Sequence, residues 1–295
     1  MLNTALLGAG RIAGVHATAI STNPGSRLVA VSDINTEAAI RLAAQYGAEA
    51  RSTDAILADA SINAVLIATS TDTHSDLIER ATGAGKAVLC EKPVDLSLAR
   101  AQACRSVAAK NGKPVMIGFN RRFDPNFSAL KAALEKGEIG KAELLSITSF
   151  DPAPPPVAYI KVSGGLFRDM MIHDFDMANY IMGAAPVSVS AVGSSIVDPA
   201  IGAAGDVDTA VVTLTYAAQA FGTADQLAVL ADVVWLRPVR LGENGIDLTF
   251  HLDGAADFVV RDGAGDVVVR GRAGVLGGHA GSPVRADFRP RPLPW

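Results

Sequence analysis

Leu6-Leu7-Gly8-Ala9-Gly10-Arg11-Ile12-Ala13 closes a short apolar run and opens a helical pattern. Gly8 permits a tight turn, Gly10 lets a backbone approach a pyrophosphate, and Ala13 keeps helix and strand close. Peptide N–H groups at the helix start, around Arg11 and Ile12, then face the phosphates. Gly-rich strand–helix turns also have purely structural uses, so the motif needs context. Asp33 supplies it, ending the second apolar run about 20 residues further on, where a carboxylate binds ribose hydroxyls. It would repel a 2′-phosphate, and no Arg follows it directly. The expected cofactor is NAD rather than NADP.

The same rhythm continues outward. Thr4–Leu7, Leu28–Ser32, Ala64–Ala68, Ala87–Cys90 and Val115–Gly118 are short runs with little charge, like parallel strands covered on both faces. Between them, Ala13–Ser21, Thr36–Tyr46, His74–Ala84 and Ser97–Asn111 have helical spacing. Such alternation predicts right-handed βαβ units in a doubly wound α/β sheet over residues 1–122. After about residue 122, Glu143–Phe150, Val187–Val192 and Thr209–Tyr216 alternate as half-exposed antiparallel strands do. One strong helix, roughly Phe167–Met182, interrupts them, and Pro152–Val157 is a loop by composition. Residues 123–295 therefore read as an α+β domain on a mainly antiparallel sheet.

Bulk properties narrow the function. Of 295 residues, 49% are hydrophobic and 19% charged, enough for a buried core and unlike a disordered chain. A net charge of −4 gives no electrostatic reason to bind nucleic acid or anionic lipid. Two cysteines, Cys90 and Cys104, form no disulfide framework and suit a reducing compartment. Met1-Leu2-Asn3-Thr4-Ala5 has no basic region ahead of an apolar run, and no apolar stretch approaches the roughly 18 residues of a membrane span. A cytoplasmic protein is expected.

Two constellations carry chemistry. Thr69, Thr71 and His74 follow the third strand, and Glu91-Lys92-Pro93 follows the fourth; both stand at the carboxyl edge, where ligands bind. Thr71, Asp72 or Thr73 also suits a helix cap, and His74 belongs near the cofactor. A lysine at position 92 can hydrogen-bond a substrate hydroxyl and favour deprotonation of a neighbouring base. Farther on, Asp169 and His173 stand four residues apart and share a helix face, with Asp176 and Tyr180 roughly along it. Oxidising an alcohol requires removal of the hydroxyl proton as hydride leaves. Histidine suits that task, and a carboxylate can orient it and stabilise its charge. A zinc site is the rival, but five histidines and no His-Glu-x-x-His pattern leave no metal expected. A buried His–Asp pair with a structural role is the other alternative.

Gly8-Ala9-Gly10-Arg11-Ile12, Glu91-Lys92-Pro93, Gly118-Phe119-Asn120-Arg121-Arg122-Phe123-Asp124-Pro125 and the run from Gly165 to Asp176 together resemble the glucose–fructose oxidoreductase/inositol dehydrogenase family, in particular its bacterial inositol 2-dehydrogenase branch. The likeness covers residues 1 to about 223. It implies that Lys92, Asp169 and His173 are catalytic, with histidine as base while hydride passes to the nicotinamide. It places Asn120, Arg121, Asp151 and Tyr159 beside a polyol, and implies a homotetramer formed through the second domain's sheet. The implied reaction is NAD-dependent oxidation of myo-inositol to its 2-ketone. Alternatives are another sugar or aldose as substrate, or an NAD-binding protein without catalysis.

After Phe221-Gly222-Thr223 the family pattern stops. Relatives carry Tyr-Gly-Tyr-Asp-Gln-Arg, where this chain has Val234-Trp235-Leu236-Arg237-Pro238. The codons TAT GGC TAC GAC CAG, preceded by G and read one nucleotide out of register, become GTA TGG CTA CGA CCA, which encodes Val-Trp-Leu-Arg-Pro. A compensated pair of frameshifts across roughly 225–240 is the reading, with genuine divergence as the alternative. The Gly- and Arg-rich tail from about Gly271 to Trp295 departs likewise, as a further shift would make it.

Overall fold

The computed structural model describes residues 1–140, 142–151 and 153–217, together with the strand backbones at 227–235, 246–252, 256–262 and 267–271. The chain divides into two compact units, Met1–Phe119 and Asn120–Trp295.

In the first unit, β1 (Leu2–Leu7), β2 (Ser26–Ser32), β3 (Glu49–Ala50), β4 (Ala64–Ile67), β5 (Ala87–Cys90) and β6 (Val115–Ile117) form one sheet. Its order is β3-β2-β1-β4-β5-β6, and every pairing is parallel. Strand order reverses beside β1, leaving a crevice at its carboxyl end. Helices α1 (Arg11–Thr22), α2 (Thr36–Gln45), α4 (His74–Gly83) and α5 (Leu98–Asn111) cover the sheet, joined by a short α3 (Thr53–Ala58). Neighbouring residues point to opposite faces, so Leu6 and Leu66 enter one apolar cluster while Leu7 and Ile67 enter another. This explains the uninterrupted apolar runs: both faces are dry. Strand β3 and helix α3 were not anticipated; α3 is set by Ser52, whose hydroxyl accepts the Ala55 N–H.

The second unit begins with α6 (Pro125–Glu135), capped by Asp124, then β7 (Ala142–Asp151), α7 (Val157–Ser163), α8 (Ile172–Met182), β8 (Pro186–Ser194), α9 (Pro199–Ala203) and β9 (Thr209–Tyr216). Strands β10 (Leu227–Trp235), β11 (Ile246–Leu252), β12 (Ala256–Asp262) and β13 (Val267–Gly271) follow. The sheet order is β13-β12-β11-β7-β10-β9-β8, antiparallel except where β7 meets β10. Met177, Ile181 and Met182 of α8 pack with Phe127 of α6, Ile147 of β7 and Leu214 of β9.

The predicted helix Phe167–Met182 is in fact two pieces. Leu166–Met170 forms a π-helical turn, closed by the Met171 N–H on the Leu166 carbonyl, and the α-helix begins only at Ile172. Helices α6, α7 and α9 are additions to the sequence reading. The segment 225–240 lies outside the described residues apart from the backbone of β10, and so does the tail beyond β13. Among the described residues, no helix is long and apolar enough to cross a membrane.

Candidate active site

The cofactor end of the first unit is built by three neighbouring strand ends. Gly8 has φ +107°, and a Cβ there would lie 2.3 Å from the Ala68 carbonyl oxygen, so only glycine lets β1 and the end of β4 come this close. The Gly8 N–H donates to Ser32 O at 2.7 Å. Asp33 then ties the loop down, accepting the Ala9 N–H at 2.6 Å and the Asn35 N–H at 2.7 Å. A carboxylate oxygen accepts more than one hydrogen bond, so Asp33 retains capacity for ribose hydroxyls. Gly10 precedes α1 with no side-chain cap, and a Cβ there would meet nothing within 4 Å. Arg11 and Ile12 are exposed in the first turn.

Beside this loop is a cavity of about 660 Å³ lined by Asp33, Ile34, Thr69, Thr73, Arg51 and Arg80, among others. Ile34 is fully exposed there, an apolar side chain placed to cover a flat base. The two arginines are already engaged, Arg51 with Asp59 and Arg80 with Asp54. The open face at Gly10, the anchored Asp33 and this cavity fit the pyrophosphate and adenosine of NAD.

Thr69 and Thr73 share a hydroxyl hydrogen bond at 2.6 Å, and Thr71 opens the single 3-10 turn Thr71–Thr73 before α4. His74 is 1% exposed, with Nδ1 2.7 Å from Pro93 O and Nε2 3.1 Å from Thr69 O. Glu91 Oε1 stands 2.6 Å from His16 Nε2, and its Oε2 accepts the Lys92 N–H at 3.3 Å. Burial pulls the Glu91 carboxyl upward, but His16 and Lys92 outweigh it and hold its pKa below the ordinary value. His16 escaped the sequence reading; its only signal is its position in the helix that the glycine motif opens.

In the second unit, Asn120 and Arg121 lie in the 3-10 turn Asn120–Phe123, and Asp151 ends β7. Tyr159, on α7, donates its hydroxyl to Asp169 Oδ1 at 3.3 Å. Asp169 sits in the π-helical turn and His173 in the first turn of α8. Asp206 anchors the start of that turn by accepting the Leu166 N–H at 3.0 Å. Arg121 pairs with Asp174, which is wholly buried and also accepts the Ser149 hydroxyl at 2.7 Å. Burial pushes the Asp174 carboxyl up, against the pull of Arg121 and Ser149. Arg122 grips Asp176 through two nitrogens and lies 5.3 Å from the Tyr180 ring centre. The Asp176–Tyr180 continuation of the helix face is thus an anchoring network. Asp206 and Ser149 were not foreseen, because their roles depend on distant pairings.

A Rossmann crevice fitted to NAD, followed by an α+β unit on a mainly antiparallel sheet, is the architecture of a class of NAD-binding proteins. Residues 2–119 match the oxidoreductase family with an NAD-binding Rossmann fold, and residues 127–232 match the GFO/IDH/MocA C-terminal domain. The chain belongs to this GFO/IDH/MocA family, and its amino-terminal unit is an NAD-binding domain. It is 56% identical over 209 residues to an inositol 2-dehydrogenase of Rhizobium meliloti, covering 71% of this chain and 63% of that relative. It is 43% identical over 268 residues to the uncharacterized oxidoreductase YrbE of Bacillus subtilis, covering 88% of this chain and 78% of that protein. A crystal structure of a myo-inositol dehydrogenase from Corynebacterium glutamicum superposes with a TM-score of 0.79 at 36% identity, covering 98% of this chain and 83% of that one.

Proposed function

We propose that this protein oxidises a cyclic polyol with NAD, converting myo-inositol to its 2-ketone. The observation that carries the reading is the Tyr159–Asp169 hydrogen bond, which joins two expected site residues one turn before His173. The inositol 2-dehydrogenase relative supports the choice of substrate. NAD, when bound, accepts the hydride. The chain's own work is proton handling and orientation. His173 takes the hydroxyl proton while the carbon–hydrogen bond breaks and the carbonyl forms. Asp169 steadies the imidazole and favours its charged form. Lys92 donates to the reacting oxygen, and Asn120, Arg121, Asp151 and Tyr159 hold the other hydroxyls. The protein works in the cytoplasm, which suits two buried, free thiols, and it self-associates as a tetramer.

NADH absorbance with myo-inositol, against glucose and other sugars, tests substrate and activity together. His173→Ala should remove turnover while leaving NAD affinity nearly intact by calorimetry; unchanged turnover sinks the assigned role. The second reading is NAD binding without turnover. It is favoured by the C-terminal domain match, which ends at residue 232, inside the segment that departs from the family pattern. NAD binding by calorimetry with no NADH formed on any sugar would establish it.

A further inference from the structure

We infer that His16 and His74 are positioning residues that grip the Glu91-Lys92-Pro93 turn from its two sides and so aim the Lys92 ammonium. This rests on Lys92 acting at the reacting oxygen. His16 projects from α1, the helix whose start faces the cofactor phosphates, and meets Glu91 Oε1 at 2.6 Å. The other Glu91 oxygen accepts the Lys92 N–H at 3.3 Å, and the carboxylate lies against Gly118, where a Cβ would come within 3.2 Å of Oε2. On the far side, His74 is buried and spans two carbonyls, Pro93 O at 2.7 Å and Thr69 O at 3.1 Å. Thr69 lines the cofactor cavity. Each histidine therefore stands between a cofactor-facing element and a residue adjacent to Lys92. A lysine stem is long and flexible, so its ammonium is only as well placed as the backbone that bears it. The pattern fits two struts that keep lysine and nicotinamide in register, because an error of about 1 Å in a reacting group can cost about a hundredfold in rate.

The test reads Lys92 directly. The full chain is exposed briefly to acetic anhydride with NAD present, and Lys92 acetylation is quantified by mass spectrometry against exposed Lys110. In His16→Ala and His74→Ala, Lys92 labelling should change by about fivefold, the conformer shift that one lost hydrogen bond brings, while Lys110 is unaffected. His16→Gln, which keeps a donor near the Nε2 position, and His74→Asn, which keeps one near Nδ1, should restore most of the native rate. Lys92 labelling that stays native in both alanine variants overturns the inference, as does equal change at Lys110, which would mean general loosening. Turnover adds a second arm. His16→Ala should lower kcat with little change in NAD affinity, and should cost nothing more once Lys92→Ala is present. Equal cost in that background also overturns the inference. Native turnover by Lys92→Ala alone would instead remove Lys92 from the chemistry and leave the labelling result to stand.

Discussion

Asp33 and Glu91 show how single carboxylates in the first unit serve by being partly spent. Asp33 accepts two backbone N–H groups, which fix the loop before any ribose arrives. Asp33→Ser should weaken NAD binding by about ten- to a hundredfold and narrow the preference over NADP, since the charge that repels a 2′-phosphate is gone; calorimetry with both cofactors measures this. Glu91 makes a different prediction because folding lowers its pKa. Between the folded and unfolded values, the unfolded chain holds more protons at this site. The contribution to stability is full above the ordinary carboxylate range and is lost as pH falls through the lower, folded value. Glu91→Gln should therefore melt below the native chain at neutral pH, and the two melting curves should converge in acid. A gap that persists at low pH would assign the loss to packing.

At the scale of elements, the turn from Gly164 to Met170 governs the second constellation. Gly165 has φ +73°, and a Cβ there would lie 2.4 Å from Asp206 Oδ1, the carboxylate that also holds the Leu166 N–H. Gly165→Ala should cost at least about 2 kcal/mol in urea unfolding, from backbone strain plus the displaced carboxylate. Gly183→Ala is the comparison: φ is +67°, but its Cβ would come no closer than 3.5 Å to the Lys131 ammonium, an ordinary contact, so strain acts alone and the loss is smaller. Equal losses would show that Asp206 yields without consequence. The four-residue spacing predicts a shared helix face for Asp169 and His173, whereas the structure divides them between the π-helical turn and the start of α8. The spacing could not reveal the π-helical turn, whose start is held by Asp206, 40 residues away. Strands of the first unit were readable because both faces are buried and the apolar runs end at turn residues. Helix α7 was hidden behind Pro152–Pro156, and α9 has only 5 residues, too few for a periodic pattern. The His16–Glu91 pair, 75 positions apart, leaves no local trace.

For the molecule as a whole, the second unit's sheet suggests how copies would meet. Strand β9 alternates strictly: Ala210, Val212, Leu214 and Tyr216 are buried, while Val211 faces out. Val211 pairs with Val192 on the edge strand β8, and in an antiparallel ladder opposite residues point to the same side. These valines are 46% and 74% exposed, an apolar spot on a β8–β9 surface that otherwise carries Ser188, Ser190, Thr213 and Thr215. Apolar side chains paired on an open sheet mark a contact surface more readily than single scattered ones. If the tetramer forms through this face, Val192→Asp places a carboxylate in each copy of the interface, where removal from water costs several kcal/mol per unpaired charge. Light scattering after gel filtration should then show smaller species in place of the tetramer, while NAD affinity, set within the first unit, stays unchanged. An assembly that survives both Val192→Asp and Val211→Asp would move the interface off this face. Loss of NAD binding together with the assembly would show that the substitution damaged the fold and not the contact, a distinction that holds because the cofactor loop belongs to the first unit and the exposed valines to the second.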